Sequence, residues 1–280
     1  IMITASHNPP SFNGLKIKAT YGGSATPDII KQIEAELALI TPDDINVDKQ
    51  SIETVDLIAD YLVQCASLVD LELIRASGFR PLIDPMHGSG SGMLTKILVD
   101  AGIDSIEIRS ERNPYFGGVN PEPIASNMQA LFDAVTESGR DVGICLDGDA
   151  DRFGACDSHG RFVDCHRLFA VLLKHLTNYR GLTGDVVRTV STTRALDKLC
   201  ANRGIRLIET PIGFKYICDL MLQGDVMIGG EESGGIGVKG HLPERDGVVM
   251  GLLILEAMAA AGMPDLSPLD VLVLHNVNHR

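Results

Sequence analysis

The sequence predicts an α/β protein built from consecutive mixed α/β domains, each a sheet flanked by helices. Short apolar runs typical of buried strands alternate along the chain with segments whose apolar residues recur at helical spacing. The length of 280 residues exceeds one ordinary core and predicts about two domains of ordinary size. A content of 45% hydrophobic and 22% charged residues is normal for a globular protein.

The first part of the chain carries a loop and then two helical stretches. A loop rich in Gly, Asn and Pro spans 4–14, and a short strand follows at 15–18. Pro27 opens an amphipathic helix that runs to about residue 40. Apolar residues at helical spacing predict a second helix over 56–76, closed by a glycine at position 78.

Strands and helices then alternate in two similar units, which predicts parallel sheets. The predicted strands cover 81–84, 105–109, 142–146, 185–190, 205–209 and 226–228. The predicted helices cover 94–101, 131–136, 195–201, 214–222 and 247–261. The glycine-rich stretch 88–92 is interpreted as a tight strand-to-helix turn.

The predicted domain boundaries follow from this alternation. We expect a first segment at 1–76, a second domain at 77–164, a third at 165–268 and a linker at 269–280. The chain begins at Ile1 in an apolar run resembling the end of a core strand, without an initiator Met or a signal-peptide pattern. We therefore expect a fragment whose N-terminal part is missing.

Charge and composition exclude several classes of protein. A net charge of −13, from 24 basic and 37 acidic residues, argues against nucleic-acid binding. No apolar run approaches the roughly 18 residues of a membrane span, and the longest, 248–263, is interrupted by Glu256. The six cysteines form no C-x-x-C pair, which favours reduced, buried thiols in a cytoplasmic protein over disulfides or a zinc site. Oligomeric state is left open by the sequence.

The loop at residues 4–10, which reads TASHNPP, contains a candidate nucleophile. Ser6 is followed directly by His7, and Lys16 comes after a tight Asn-Gly turn. A serine needs a neighbouring group that takes or replaces its proton before it can act as a nucleophile. The alternative interpretation is a turn whose hydroxyl bonds the local backbone.

Residues 147–152, which read DGDADR, form a candidate metal site directly after a predicted buried strand. Three carboxylates in five residues repel one another unless a cation neutralises them, and oxygen ligands favour Mg²⁺ or Ca²⁺ over zinc. These carboxylates belong to Asp147, Asp149 and Asp151. An EF-hand does not fit, because its sixth position would be Arg152 and its twelfth Ser158. A phosphatase loop with Asp147 as nucleophile and a solvated acidic turn remain alternatives.

Residues 229–235, which read GGEESGG, follow another predicted strand and form the third candidate loop. Its carboxylates and hydroxyl suit sugar hydroxyls, and a structural glycine turn is the alternative. Three potential phosphate contacts come after it: Lys239, His241 and Arg245. The stretch 235–240, which reads GIGVKG, does not match the phosphate-binding loop of nucleoside triphosphatases.

Together and in this order, the three loops resemble those of the α-D-phosphohexomutase family over essentially the whole chain. The resemblance implies a phosphoglucomutase-like isomerase, an intramolecular phosphotransferase in which Ser6 is the phosphoserine. It implies that the three aspartates bind Mg²⁺ with an oxygen of that phosphate, and that His7 and Lys16 act near the proton transfers. The implied substrate-binding residues, some taken from the family and some from the charge pattern, are Arg152, Gly213, Phe214, Lys215, Glu231, Ser233, Lys239, His241 and Arg245.

The implied reaction interconverts α-D-glucose 1-phosphate and glucose 6-phosphate through glucose 1,6-bisphosphate, which also serves as activator. Glu232 resembles the glucose-type enzymes, whereas phosphomannomutases and phosphoglucosamine mutases usually have Met or Gln there and His in place of Gly235. Those specificities and a non-catalytic phosphosugar-binding or Ca²⁺-binding module are the alternatives. The family's fourth domain carries an Arg-x-Ser-Gly-Thr loop that is absent from this sequence. We therefore expect the chain by itself to be nearly inactive, lacking most of domain 1 and all of domain 4.

Overall fold

The computed structural model describes residues 1–41, 53–263 and 266, and it confirms the predicted α/β class. Two sheets lie one after the other along the chain, each with parallel strands at its centre and helices against it. The predicted linker at 269–280 and the part of the first segment at 42–52 lie outside the described residues. The proposed division into segments therefore stays a prediction.

The N-terminal part is a two-stranded hairpin followed by a helix. Strands β1 (Met2–Ile3) and β2 (Leu15–Lys16) pair antiparallel, and α1 (Pro27–Leu37) begins where Thr26 accepts a hydrogen bond from the backbone of Ile29. The opening run forms strand β1, as its apolar residues suggest, and Ile3 is 62% exposed in the described structure. The side chains of Ile1 and Ile3, on either side of Met2, face away from the described core.

The helix predicted over 56–76 is two helices, which corrects the sequence analysis. These are α2 (Ile58–Ser67) and α3 (Leu71–Ser77). Asp70 breaks the run because its carboxylate accepts from the backbone of Leu73 and caps α3, the role that aspartate prefers over a helix interior. Gly78 ends α3 in the left-handed conformation with φ 72°, as predicted.

The first large sheet has the strand order β4-β3-β5-β6-β7. Its strands are β3 (Pro81–Asp84), β4 (Ile106–Glu107), β5 (Val142–Leu146), β6 (Phe153–Asp157) and β7 (Phe162–Val163). Its helices are α4 (Met93–Asp100) and α5 (Gln129–Ser138). β4, β3 and β5 are parallel, whereas β6 and β7 are antiparallel additions that the alternation pattern did not predict. The sheet is therefore mixed, not purely parallel.

The second large sheet has the order β11-β10-β8-β9, parallel except for β11. Its strands are β8 (Asp185–Thr189), β9 (Leu207–Thr210), β10 (Val226–Gly230) and β11 (Ile236–Val238). Its helices are α6 (Cys165–Asn178), α7 (Ala195–Ala201), α8 (Phe214–Gln223) and α9 (Gly247–Ala261). α6 and β11 were not predicted, while the bounds of α7 and α9 agree with the prediction.

Helix α9 lies at the centre of the core that both sheets share. It is buried nearly all round and contacts α3, α4 and α6 as well as strands of both sheets. Its first residue, Gly247, donates a backbone hydrogen bond to the carbonyl of Ala150 in the acidic loop, 2.9 Å away. The core helix is thus anchored directly to the candidate metal site. Among the described residues, no helix is long and apolar enough to cross a membrane.

Candidate active site

The three aspartates occupy the turn of the β5–β6 hairpin, at the carboxyl end of β5. The backbone of Arg152 donates to Asp147 Oδ1 at 3.0 Å and closes the turn. One carboxylate oxygen from each of Asp147, Asp149 and Asp151 lies within 4.8 Å of the others. The spacing i, i+2, i+4 therefore converges on one point, as the sequence predicts.

The electrostatics of this cluster suit a hard divalent cation. Burial raises the pKa of Asp147 well above its ordinary value, and the charges of Asp151 and Asp149 add to the effect. Asp151 Oδ1 is buried and has no hydrogen-bond partner among the described residues. Crowded carboxylates with an unsatisfied buried oxygen are what Mg²⁺ or Ca²⁺ would neutralise.

Ser6 lies directly against this cluster. Its hydroxyl donates to Asp149 Oδ1 at 3.2 Å and to Asp147 Oδ2 at 3.4 Å. Its φ of 52° is unusual for a residue other than glycine, which indicates backbone strain at this position. The structure thus brings together a loop and an acidic turn that are about 140 residues apart in sequence.

Thr4 holds the serine loop in place, a role that the sequence analysis missed. Its hydroxyl accepts from the backbone of Ser6 at 2.8 Å and donates to Asp149 Oδ2 at 3.0 Å. The position of Thr4, two residues before Ser6, could have predicted the hydrogen bond to the Ser6 backbone. Thr hydroxyls commonly bond the backbone two residues further along the chain.

His7 and Glu122 lie on the other side of Ser6. His7 Nδ1 is 3.3 Å from Ser6 Oγ, and its Nε2 is 3.8 Å from Glu122 Oε1. Glu122 also lies 3.6 Å from the guanidinium of Arg152. Burial lowers the pKa of His7, and the nearby positive charge of Arg152 lowers it further. Glu122 was not predicted, because it reaches the site from a loop with no motif of its own.

Lys16 bridges two of the three aspartates. Its Nζ lies 2.9 Å from Asp149 Oδ2 and 3.3 Å from Asp151 Oδ2. Burial opposes the charged ammonium, but Asp151 and Asp149 together outweigh it and raise the pKa of Lys16. The lysine is therefore held charged beside the serine, where it neutralises part of the acidic cluster.

The glycine-rich turn at 88–92 supports the acidic loop from behind. It connects β3 to α4, as predicted, and the backbone of Ser89 donates to the carbonyl of Gly148 at 3.0 Å. A Cβ on Gly88 would lie 2.8 Å from that same carbonyl oxygen. The glycine is needed because the two loops pack backbone to backbone.

The segment 229–235 begins with the last two residues of β10 and contacts the acidic hairpin. Glu231 accepts from the backbone of Gly213 at 3.1 Å, which joins it to the start of α8. The carbonyl of Gly234 accepts from the backbone of Phe153 at 3.3 Å, at the first residue after the acidic turn. Burial raises the pKa of Glu231, and Arg245 opposes this shift.

Glu232 is anchored away from the acidic cluster. Its carboxylate accepts from Thr189 at 3.0 Å and from Ser191, both at the carboxyl end of β8. Burial would raise its pKa, but the hydrogen bond from Ser191, together with others, outweighs that and lowers it. The two neighbouring glutamates therefore have different surroundings, one facing the site and one fixing the loop.

Lys215, Ser233 and Lys239 do not contact the acidic cluster in the described structure, whereas His241 lines the same cavity as Asp149 and Asp151. Lys239 lies at the opposite end of β10 from Glu231, where it pairs with Asp225 at 2.5 Å. His241 bonds Asp246 at 2.9 Å. Lys215 is exposed, 5.0 Å from the ring of Tyr216, and Ser233 is half-buried in its turn.

Arg245 is half-buried and paired, so it is not a free phosphate contact. It pairs with Asp151 and Glu231 at once, with its guanidinium 5.7 Å from the ring of Phe214. A cavity of about 520 Å³ opens beside it and reaches Lys16 and Asp149. That volume is in the range of small-molecule sites.

Comparison with known proteins places these loops in one family. Three family models match in order: phosphoglucomutase/phosphomannomutase alpha/beta/alpha domain I at residues 1–43, domain II at 59–160 and domain III at 164–272. Together they leave few residues of the chain unmatched.

Individual relatives agree in class but differ in the substrate that they are named for. A phosphoglucomutase/phosphomannomutase of Thermococcus kodakarensis is 29% identical over 93% of this chain and 57% of its own length. A phosphoglucosamine mutase of Salinispora tropica is 34% identical over 94% of this chain and 59% of its own. The crystal structure of a proposed phosphomannomutase from Thermus thermophilus superposes with a TM-score of 0.91 at 37% identity, covering 99% of this chain and 62% of that one. The chain thus spans somewhat over half the length of the curated relatives it matches.

Proposed function

Since the chain belongs to the phosphoglucomutase/phosphomannomutase family, we propose that it carries the nucleophile, cation and sugar loops of a phosphohexomutase acting on glucose phosphates. The observation that carries the proposal is the contact of the Ser6 hydroxyl with both Asp147 and Asp149, beside Lys16. A turn that only satisfied its own backbone would not need its hydroxyl against two carboxylates.

In the proposed reaction, the phosphoryl group on Ser6 passes to the free hydroxyl of a hexose phosphate. That hydroxyl loses its proton, and the released Ser6 oxygen gains one. The resulting 1,6-bisphosphate then returns its other phosphoryl group to Ser6. When Ser6 accepts a phosphoryl group, its hydroxyl proton must leave, and His7 Nδ1 at 3.3 Å is the nearby acceptor. Lys16 and Arg152 offset negative charge at the serine, which is what phosphoryl transfer chiefly requires.

The three aspartates are the proposed ligands of Mg²⁺. The ion when bound supplies charge neutralisation for the serine phosphate. Asp147 is fully buried and braced by the backbone of Arg152, so it is positioned before any ion arrives. Thr4 fixes Asp149 relative to the nucleophile, which holds both parts of the site in register.

The loop containing Glu231 and Ser233 is the proposed grip for the sugar hydroxyls, together with the segment from Gly213 to Lys215. The hydrogen bond from the backbone of Gly213 to Glu231 supports this grouping, because it joins the two segments. The proposed glucose preference rests on Glu232, which the family resemblance associates with glucose-type enzymes. Mannose and glucosamine phosphates are the alternatives, since relatives carry those names.

The complete reaction is proposed for the complete protein. Because this chain covers 57–59% of the length of the curated relatives named above, we expect residues 1–280 alone to be nearly inactive as a mutase. The six cysteines are free thiols, which supports a reducing, cytoplasmic location.

A substrate panel tests this proposal. The complete protein is assayed with Mg²⁺ and a glucose 1,6-bisphosphate primer on glucose, mannose and glucosamine 1-phosphates. We expect the highest kcat/KM for glucose 1-phosphate, loss of turnover in Ser6→Ala, and full turnover in the control Ser11→Ala, which changes an exposed serine of the same loop. A higher kcat/KM for another sugar would transfer the proposal to that specificity, and no turnover with any sugar would overturn it.

A further inference from the structure

Arg245 joins the two loops that are proposed to bind the cation and the sugar. One guanidinium nitrogen lies 2.5 Å from Asp151 Oδ2 and the other lies 3.1 Å from Glu231 Oε2. The side chain is 14% exposed. One half-buried positive charge is therefore shared by two carboxylates from different loops, an arrangement for which the forked arginine side chain is suited.

The surroundings of Arg245 fix this bridging position. A Cβ on Gly235 would lie 2.2 Å from Arg245 Cδ, so only glycine leaves room for the side chain to pass. On its far side the guanidinium lies over the ring of Phe214. Arg245 Nε is buried without a hydrogen-bond partner in the described part of the chain. A side chain enclosed in this way is placed for a structural link between loops and not for reaching out to a phosphate.

The charges around Asp151 determine what this link does. Lys16 Nζ lies 3.3 Å from the same oxygen that Arg245 contacts, and Arg152 Nε lies 3.8 Å from the other. A cation that binds the acidic cluster must share Asp151 with these positive groups, and Arg245 is the nearest of them. The positive charges of Arg245 and of a cation bound to Asp151 would repel each other strongly in a partly buried site. Arg245 therefore weakens cation binding.

We infer that Arg245 is a positioning residue that couples cation binding at the acidic cluster to the state of Glu231 in the sugar loop. The inference rests on the proposed cation site. When Glu231 is present, Arg245 pairs with two carboxylates. When Glu231 is replaced, Arg245 pairs with Asp151 alone, and the cation binds less tightly. Coupling between two binding sites is reciprocal, so a sugar that engages Glu231 changes cation affinity by the factor by which the cation changes sugar affinity.

The test measures the Kd of Mn²⁺ by calorimetric titration of the complete protein at constant pH and ionic strength. Four forms are compared: wild type, Arg245→Gln, Glu231→Gln and the double variant. We expect Arg245→Gln to bind Mn²⁺ about tenfold more tightly, because a repelling charge is gone. We expect Glu231→Gln to bind Mn²⁺ about fivefold more weakly than the wild type. In the Arg245→Gln background, the same substitution should weaken binding by a factor of roughly 1.7 or less, which is at least threefold smaller.

Controls separate coupling from damage to the fold. Arg245→Lys keeps the positive charge, so its Mn²⁺ Kd should stay near the wild-type value. Glu72→Gln removes an exposed carboxylate elsewhere and should change nothing. Weaker Mn²⁺ binding in Arg245→Gln, or an equal effect of Glu231→Gln in both backgrounds, would overturn the coupling while leaving the cation site standing. Absence of saturable Mn²⁺ binding by the wild type would overturn both.

Discussion

At the scale of single residues, the site depends on a close approach between Ser6 and Gly148. A Cβ at position 148 would lie 2.3 Å from the carbonyl oxygen of Ser6, closer than any real contact. The strained φ of Ser6 is held in the same place by Thr4. The Ser6 side chain is therefore positioned by backbone packing as well as by its hydrogen bonds.

Replacing Gly148 with alanine should separate the serine loop from the aspartates. Since the clash is with backbone, a shift of the loop is unavoidable, and a displacement of about 1 Å can cost on the order of 100-fold in rate. We expect a loss of about that size in kcat/KM of the complete protein, with the fold retained. Gly224→Ala is the matched control, because its Cβ would meet ordinary contact at 3.4 Å. Equal activity of the two variants would show that the approach is unimportant.

Much of the site's composition was predictable from local sequence, but its contacts were not. The aspartate spacing predicted the convergence on one point that the structure shows. In contrast, Glu122 joins His7 and Arg152 only because of the tertiary fold, and no local pattern marks it. Arg245 was expected as a phosphate contact, because the sequence does not show that the fold pairs it with Asp151 and Glu231.

At the scale of elements, a buried carboxylate ties three helices together. Glu256 of α9 is 1% exposed and accepts from the imidazole of His175 on α6 at 2.6 Å. It also accepts from Arg180 just after α6 at 2.6 and 2.8 Å, and from the backbone of Asp70 at the start of α3 at 2.8 Å. Burial would raise its pKa, but the bonds from His175 and Arg180 outweigh it and lower the pKa of Glu256 to about 2.

Glu256→Gln should therefore destabilise the fold in a pH-dependent way. A carboxyl group whose pKa falls from 4.5 to about 2 on folding stabilises the protein above pH 4.5, by on the order of 3 kcal/mol, and this contribution is lost as pH falls toward 2. The difference in unfolding free energy between wild type and variant should be largest near pH 7 and shrink below pH 4.5. Denaturant titrations at several pH values measure it.

The exposed control for this measurement is Glu137→Gln, which changes a surface carboxylate of α5. We expect its unfolding free energy to follow the wild type at every pH. If the Glu256→Gln difference did not vary with pH, the carboxylate would not be ionised in the folded protein and the assigned role would fail.

Element boundaries were predictable where local chemistry marks them. Gly78 ends α3 and the predicted bounds of α7 and α9 are confirmed. The break between α2 and α3 was missed, because the apolar spacing continues across it and only the cap at Asp70 interrupts it. β6 was missed because the pattern Phe-Gly-Ala-Cys-Asp carries no alternation, being buried along its whole length against the neighbouring strands.

At the scale of the whole molecule, three chain segments distant in sequence meet at one place. The serine loop lies between β1 and β2, the acidic turn follows β5, and the sugar loop follows β10. Strand ends of this kind are where open α/β sheets bind ligands. Helix α9 packs against both large sheets in one core. The backbone hydrogen bond from its first residue to Ala150 fixes the acidic turn relative to that core.

Although the net charge of the chain is −13, positive side chains surround the acidic cluster. Lys16, Arg152 and Arg245 all lie within 4 Å of Asp149 or Asp151. Short-range charge, not the overall field, decides binding at a site of this kind.

The most direct test of the account is whether Ser6 carries the phosphoryl group. The complete protein is incubated with glucose 1,6-bisphosphate and Mg²⁺, and its intact mass and peptide map are measured. We predict one added phosphoryl group on the peptide containing Ser6, absent from Ser6→Ala and present in Ser11→Ala. Phosphate bound covalently at Asp147, or no covalent phosphate at all in the wild type, would contradict the central claim.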